Sequence, residues 1–91
     1  MKRIYKYSLD TIDQQVLRLP SNSKVLSVAA QGDNIVLYVR IDDTIVRMTD
    51  CLVLIHGTGH DADDTIDSTF VGTVNLYNGA LMFHVFYKET V

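Results

Sequence analysis

Cysteine and proline each occur once in this chain of 91 residues, and positive charge is scarce: eight Lys and Arg stand against eleven Asp and Glu. With Cys51 alone no internal disulfide can form, which fits a reducing compartment. Cys51 opens the apolar run Cys51–Leu52–Val53–Leu54–Ile55 with no cation beside it, so it reads as a small buried hydrophobe rather than a reactive thiol. The net charge of −3 and the scattering of the cations after Lys2, Arg3 and Lys6 exclude a basic track long enough for a duplex, and with it general nucleic-acid binding. A local basic pocket stays open. No apolar stretch approaches the roughly 20 residues that span a bilayer. The basic opening Met1-Lys2-Arg3 leads into alternating residues rather than a signal-peptide core, so a soluble protein of the cytoplasm is expected, with no membrane partner.

What is plentiful is hydrophobic surface. Hydrophobic residues make up 47 % of the chain, whereas a domain of this size buries only about 60–65 % of its unfolded surface. Some apolar residues are therefore expected to face another subunit, and a homo-oligomer is the simplest arrangement. One domain, residues 1–91, is expected, since no linker, repeat or low-complexity segment divides the chain.

Period-two alternation and turn signals predict an all-β fold, a small antiparallel sandwich or partly open barrel of about six to seven strands with at most a helical turn. Strands are expected at 4–8, 14–19, 24–31, 35–40, 51–56, 70–76 and 81–88, with a short edge strand at 44–48 guarded by Arg47. The sole proline, Pro20, ends the second of these. Gly32-Asp33-Asn34 predicts a hairpin with a three-residue turn, and Asn78-Gly79 a type I′ hairpin, because both residues tolerate positive φ. Helical spacing of Ile12, Val16 and Leu19 after the capping signal Ser8-Leu9-Asp10 allows at most a single helical turn near Leu9–Asp13, while the Val16-Leu17-Arg18-Leu19-Pro20 ending favours a strand.

Only Ile55-His56-Gly57-Thr58-Gly59-His60-Asp61 combines residues suited to chemistry. Glycines at a strand exit let main-chain N–H groups approach an anion, Thr58 adds a hydroxyl, and His60 has a donor and a ring for stacking. The pattern is neither a P-loop nor a dinucleotide fingerprint. A tight strand exit with no ligand explains the same residues. His56, His60, Asp61, Asp63, Asp64, Asp67 and His84 include metal-ligand types, but their spacing converges on no known metal motif, and a solvated acidic loop accounts for the aspartates. No metal and no cofactor are expected. Alternation places His84 on one face with Met82 and Phe86, where a hydrogen-bonded interior histidine competes with a ligand contact. No motif fixes a nucleophile, so a non-catalytic protein is expected.

Met1-Lys2-Arg3-Ile4-Tyr5-Lys6-Tyr7, Val25-Leu26-Ser27-Val28, His56-Gly57-Thr58-Gly59-His60, Phe70-Val71-Gly72-Thr73-Val74 and Gly79-Ala80-Leu81-Met82-Phe83-His84-Val85-Phe86 together resemble a family of small, uncharacterised bacteriophage and prophage proteins, over nearly the full length. Family members often carry proline after the motif's histidine, where Asp61 stands here. The resemblance implies a phage accessory protein acting in the host cytoplasm. By analogy of size and context with phage sponges that capture immune nucleotide signals, the expectation is an oligomer sequestering a cyclic ADP-ribose-like or cyclic dinucleotide ligand. Gly57, Thr58 and Gly59 would offer N–H groups, His60 and His84 would contact phosphate or base, and Arg47 would neutralise charge. The competing expectation is a protein-interaction module, either an inhibitor of a host protein or a minor virion component. A phosphodiesterase using His60 and His84 is the third.

Overall fold

The computed structural model describes residues 1–90. Seven strands form two antiparallel sheets: β1 (Lys2–Leu9), β2 (Gln14–Pro20), β3 (Lys24–Gln31), β4 (Asn34–Asp42), β5 (Met48–Gly57), β6 (Thr69–Leu76) and β7 (Leu81–Thr90). The order is β1-β4-β3 in one sheet and β2-β5-β7-β6 in the other. The sheets do not close into a barrel, so the sandwich alternative describes the fold. No helix among the described residues is long and apolar enough to cross a membrane.

Alternation explains the layering. On β4 the odd positions Ile35, Leu37, Val39 and Ile41 face inward, and on β5 Cys51, Val53 and Ile55 meet them. Leu9, Leu19, Val74, Leu76 and Val85 complete this core. Cys51 is buried there, and burial pushes its thiol up to about 11, so it is a poor nucleophile at neutral pH. β3 keeps both Val25 and Val28 against the core because the ladder with β4 shifts register between Val25 and Ser27. An extra residue in the strand resets the side-chain parity.

The two hairpin turns differ in detail from expectation. At Gly32-Asp33 the last ladder pair is Gln31–Asn34, so the turn has two residues rather than three. Only Gly32 has positive φ, at 62°, which is the pattern of a type II′ turn. At the other hairpin the last ladder pair is Leu76–Leu81, so four residues rather than two lie outside the ladder. Asn78 (φ 57°) and Gly79 (φ 87°) take the expected positive-φ positions, Tyr77 before them is also at positive φ (54°), and the Ala80 N–H donates to the Tyr77 carbonyl at 3.1 Å.

Two expected elements do not form. Thr44–Met48 is not an edge strand: the Asp42 carboxylate accepts from the Thr44 amide (3.0 Å) and hydroxyl (2.6 Å), and the Ile45 amide donates to the Asp42 carbonyl at 3.2 Å. That local turn diverts the backbone from any ladder, and strand geometry resumes only at Met48. The helical turn near Leu9–Asp13 is likewise absent, because β1 runs on to Leu9, which pairs with Ile35 and lies in the core. Among the described residues the single 3₁₀ turn is instead Asp63–Thr65, inside the long loop between β5 and β6.

Candidate functional site

The loop after β5 leaves the strand through a tight turn. The His60 amide donates to the Gly57 carbonyl at 3.1 Å, and Gly59, third in the turn, has φ +88°, a conformation that glycine adopts without penalty. Gly57 is required for a different reason. A Cβ there would come within 3.0 Å of His60 Cε1, so the absence of a side chain is what lets the imidazole fold back over the strand end. The Thr58 amide donates to the Met82 carbonyl at 3.3 Å. Two of the main-chain donors that an anion would need are therefore engaged inside the protein.

A shallow hollow of about 230 Å³ does lie beside this turn, lined by Gly57, Thr58, His60, Ala80, Leu81, Met82 and Phe83. No Lys or Arg lines it. Arg47 stands just before the start of β5, and that ten-residue strand puts about 30 Å between it and the turn. There it lines a separate hollow with Ser21, Asn22, Ile45, Thr49 and Glu89. The structure thus brings Gly57, Thr58, Gly59 and His60 together and leaves Arg47 at the opposite end.

His84 is near the turn but serves a different surface. It is the register partner of His56 on β5 and of Thr73 on β6, on the outer face of the four-stranded sheet. Its Nε2 lies 2.8 Å from Thr58 Oγ1 and its Nδ1 2.9 Å from Thr73 Oγ1. A neutral imidazole meets two hydroxyls by donating from one nitrogen and accepting at the other. Both ring nitrogens are occupied, and His84 does not line the hollow that holds His60. Thr58 is the link between them, with its hydroxyl on one side and its backbone at the rim of the other.

Sequence reasoning weighed His56 and Asp64 only as metal ligands and gave them no part in the site. His56 is 6 % exposed, and its Nε2 lies 2.7 Å from Asp64 Oδ1. Gln14 Nε2 donates to Asp64 Oδ2 at 3.1 Å. The hydrogen bond from Gln14, with that from His56 next, holds the Asp64 carboxyl below its ordinary range. Asp64 sits in the 3₁₀ turn, so the pair pins the long loop onto the sheet. Alternation along β5 does predict that His56 lies on the face opposite Cys51, Val53 and Ile55. Nothing local marks Asp64, eight residues on, as its partner. Among the described residues no group of three or more His, Cys, Asp or Glu side chains is placed to hold a metal ion.

Residues 1–91 match a family described as a domain of unknown function, DUF7352. The chain belongs to that family. No curated protein and no solved structure matches it. Family membership fixes no activity, so the chemistry of the site has to be read from its geometry. Around the family member's paired histidines, every ring nitrogen with a close partner serves to fasten one element to another: His56 fastens the loop, and His84 joins the end of β5 to β6.

On the same outer face lies a band of a different character. Successive ladder rows bring Val16 beside Leu52, then Leu54 beside Phe86 and Phe86 beside Phe70. The Phe70 and Phe86 rings are 5.3 Å apart and tilted by 57°, an attractive edge-to-face arrangement. Leu54 is fully buried beneath this band, but Val16 is 59 % and Phe70 56 % exposed.

Proposed function

We propose that this protein is a non-catalytic interaction module that works through the outer face of its four-stranded sheet. The observation that carries the reading is a cluster of apolar side chains on that face. Val16 and Phe70, on the two edge strands, are more than half exposed, and Leu52 and Phe86 are half-buried between them, on adjacent ladder rows that also hold Gln14 and Lys88. Exposed apolar side chains gathered on one sheet face mark a surface suited to being covered by another molecule. The geometry of the histidines supports a structural role for them, and Cys51 faces the core with a raised thiol pKa. Sequestration of an anionic nucleotide at the Gly57–His60 turn is the weaker reading. Two of its amides are engaged, and no cation lines its hollow.

The partner is a second copy of the chain or a protein with a complementary apolar surface, consistent with a phage accessory role. Light scattering and capture experiments with the full chain separate these. Phe70→Glu or Val16→Glu, both exposed and tolerable to the fold, should abolish self-association or partner capture while leaving the melting temperature within a few degrees. If both variants retain the molar mass and the bound proteins of the parent, the band is not the interface and the reading is wrong.

A further inference from the structure

We infer that the outer face of the three-stranded sheet carries a binding site for a small phosphate-bearing, nucleotide-type ligand, built from Lys2, Lys24 and Arg40. This inference is independent of the apolar face on the other sheet.

Register puts Lys2, Lys6, Lys24 and Arg40, half of the eight basic residues of the chain, on this one face: Arg40 pairs with Lys24 on one side and Ile4 on the other, and Lys6 pairs with Tyr38. Arg40 and Lys24 are directly opposed like charges, an arrangement that weakens a sheet. The chain has acidic residues to spare and pairs cations elsewhere. Arg18 faces its register partner Asp50 at 3.6 Å, and Arg3 bonds Asp43 at 2.6 Å. Among the described residues Lys24 and Arg40 make no such pair, and Lys2, although Asp42 is its register partner, makes no ion pair with it. A local rule broken without compensation marks a site kept for something other than stability.

Lys2 and Arg40 line a hollow of about 150 Å³ together with Asn22, Ile41, Asp42 and Ile45; Lys24, the register partner of Arg40, lines a separate hollow that also holds Glu89. Asp42 is the one carboxylate on the rim of the first, and it is already occupied by the Thr44 amide and hydroxyl and by the Met1 amino group. A phosphate would therefore enter from the Lys24 side, where the planar fork of Arg40 can bind two of its oxygens and the lysines neutralise the rest. Tyr38 lies on the same face one pleat along from Arg40 and is half-buried. It lies on the side of Arg40 away from Asp42, so a base that extends along β4 from a phosphate held by Arg40 and Lys24 would meet its ring, and on this the preference for a nucleotide over a bare phosphate rests.

Isothermal titration of the full chain at low salt with ATP, with inorganic tripolyphosphate and with a ten-nucleotide oligothymidylate tests the inference. ATP should bind, more tightly than tripolyphosphate, and binding should weaken as salt rises, because exposed charges are screened. Arg40→Glu and Lys24→Glu should each lower ATP affinity by roughly tenfold or more, the scale of losing a charge-assisted contact. Arg18→Gln, on the other sheet, should leave it unchanged. Lys24→Glu should also keep or raise the melting temperature, since it converts an opposed like pair into an opposite one. The inference is overturned if none of the probes binds, if charge reversal leaves ATP affinity intact, or if only the oligonucleotide binds, which would assign the face to a nucleic-acid strand.

Discussion

Gly72 shows how far single atoms control this fold. It sits at the register shift of β6, between Phe70 and its own pairing with Val85, and a Cβ there would approach Val28 Cγ1 to 3.0 Å. Val28 belongs to β3 of the other sheet, so this glycine sets how closely the two sheets approach. Gly72→Ala is expected to destabilise the protein by about 1–3 kcal/mol, the usual cost of overpacking. Adding Val28→Ala should recover part of that loss, and a double-mutant cycle in urea would show the coupling. If the two losses simply add, the contact does not limit the sheet spacing. At this scale the sequence was informative about the hairpin residues Gly32, Asn78 and Gly79, whose conformational freedom is intrinsic. It was silent about Gly72, because the clash belongs to a strand more than forty positions earlier.

The long loop between β5 and β6 illustrates the scale of the element. Its glycine exit was legible and its histidines were conspicuous, but the pair that fastens the loop was not: His56, weighed only as a metal-ligand type, is buried against Asp64, and the amides of Thr58 and His60 bond within the protein. The reason is physical. Periodicity assigns a residue to a face, but partners from a loop arrive by tertiary packing that no local pattern encodes. Removing the carboxylate in Asp64→Ala leaves the buried His56 nitrogen and Gln14 without their acceptor, and should cost about 1–3 kcal/mol. Faster protease cleavage within residues 58–68 should accompany it. Because the Asp64 pKa is lowered in the folded state, its contribution is complete above the ordinary carboxylate range and is lost as pH falls through the lowered value. The acid limb of the stability curve should therefore flatten in the variant. An unchanged limb and unchanged cleavage would show that the contact does not hold the loop.

For the whole molecule, composition and alternation were enough for an all-β fold of about six to seven strands, but they left a sandwich and a partly open barrel both standing and did not show which strands pair. Only β3–β4 and β6–β7 are neighbours in sequence. The ladders β1–β4, β2–β5 and β5–β7 join strands that are separated by at least one other, whereas the register shifts of β3 and β6 lie within the two ladders between sequence neighbours. Each ladder of the first kind closes a loop before it gains a contact, so folding should be slow for a chain of this length, in milliseconds to seconds. Stopped-flow refolding gives the rate directly, and a microsecond phase carrying the full amplitude would contradict this topology as the native one.

The perimeter of the sandwich carries a last consequence. Along one flank β3 and β6 lie next to each other, with Gly72 against Val28, so each screens the other's open border. Along the other flank β1 and β2 are not joined to one another by a ladder, and their outward amides and carbonyls are the natural place for a foreign strand to zip on. That border is studded with Lys2, Arg3 and Lys6 on β1, and β2 ends in Pro20, residues that resist such addition. These features disfavour endless ribbon growth through that border, so any association of copies would have to use the sheet faces instead.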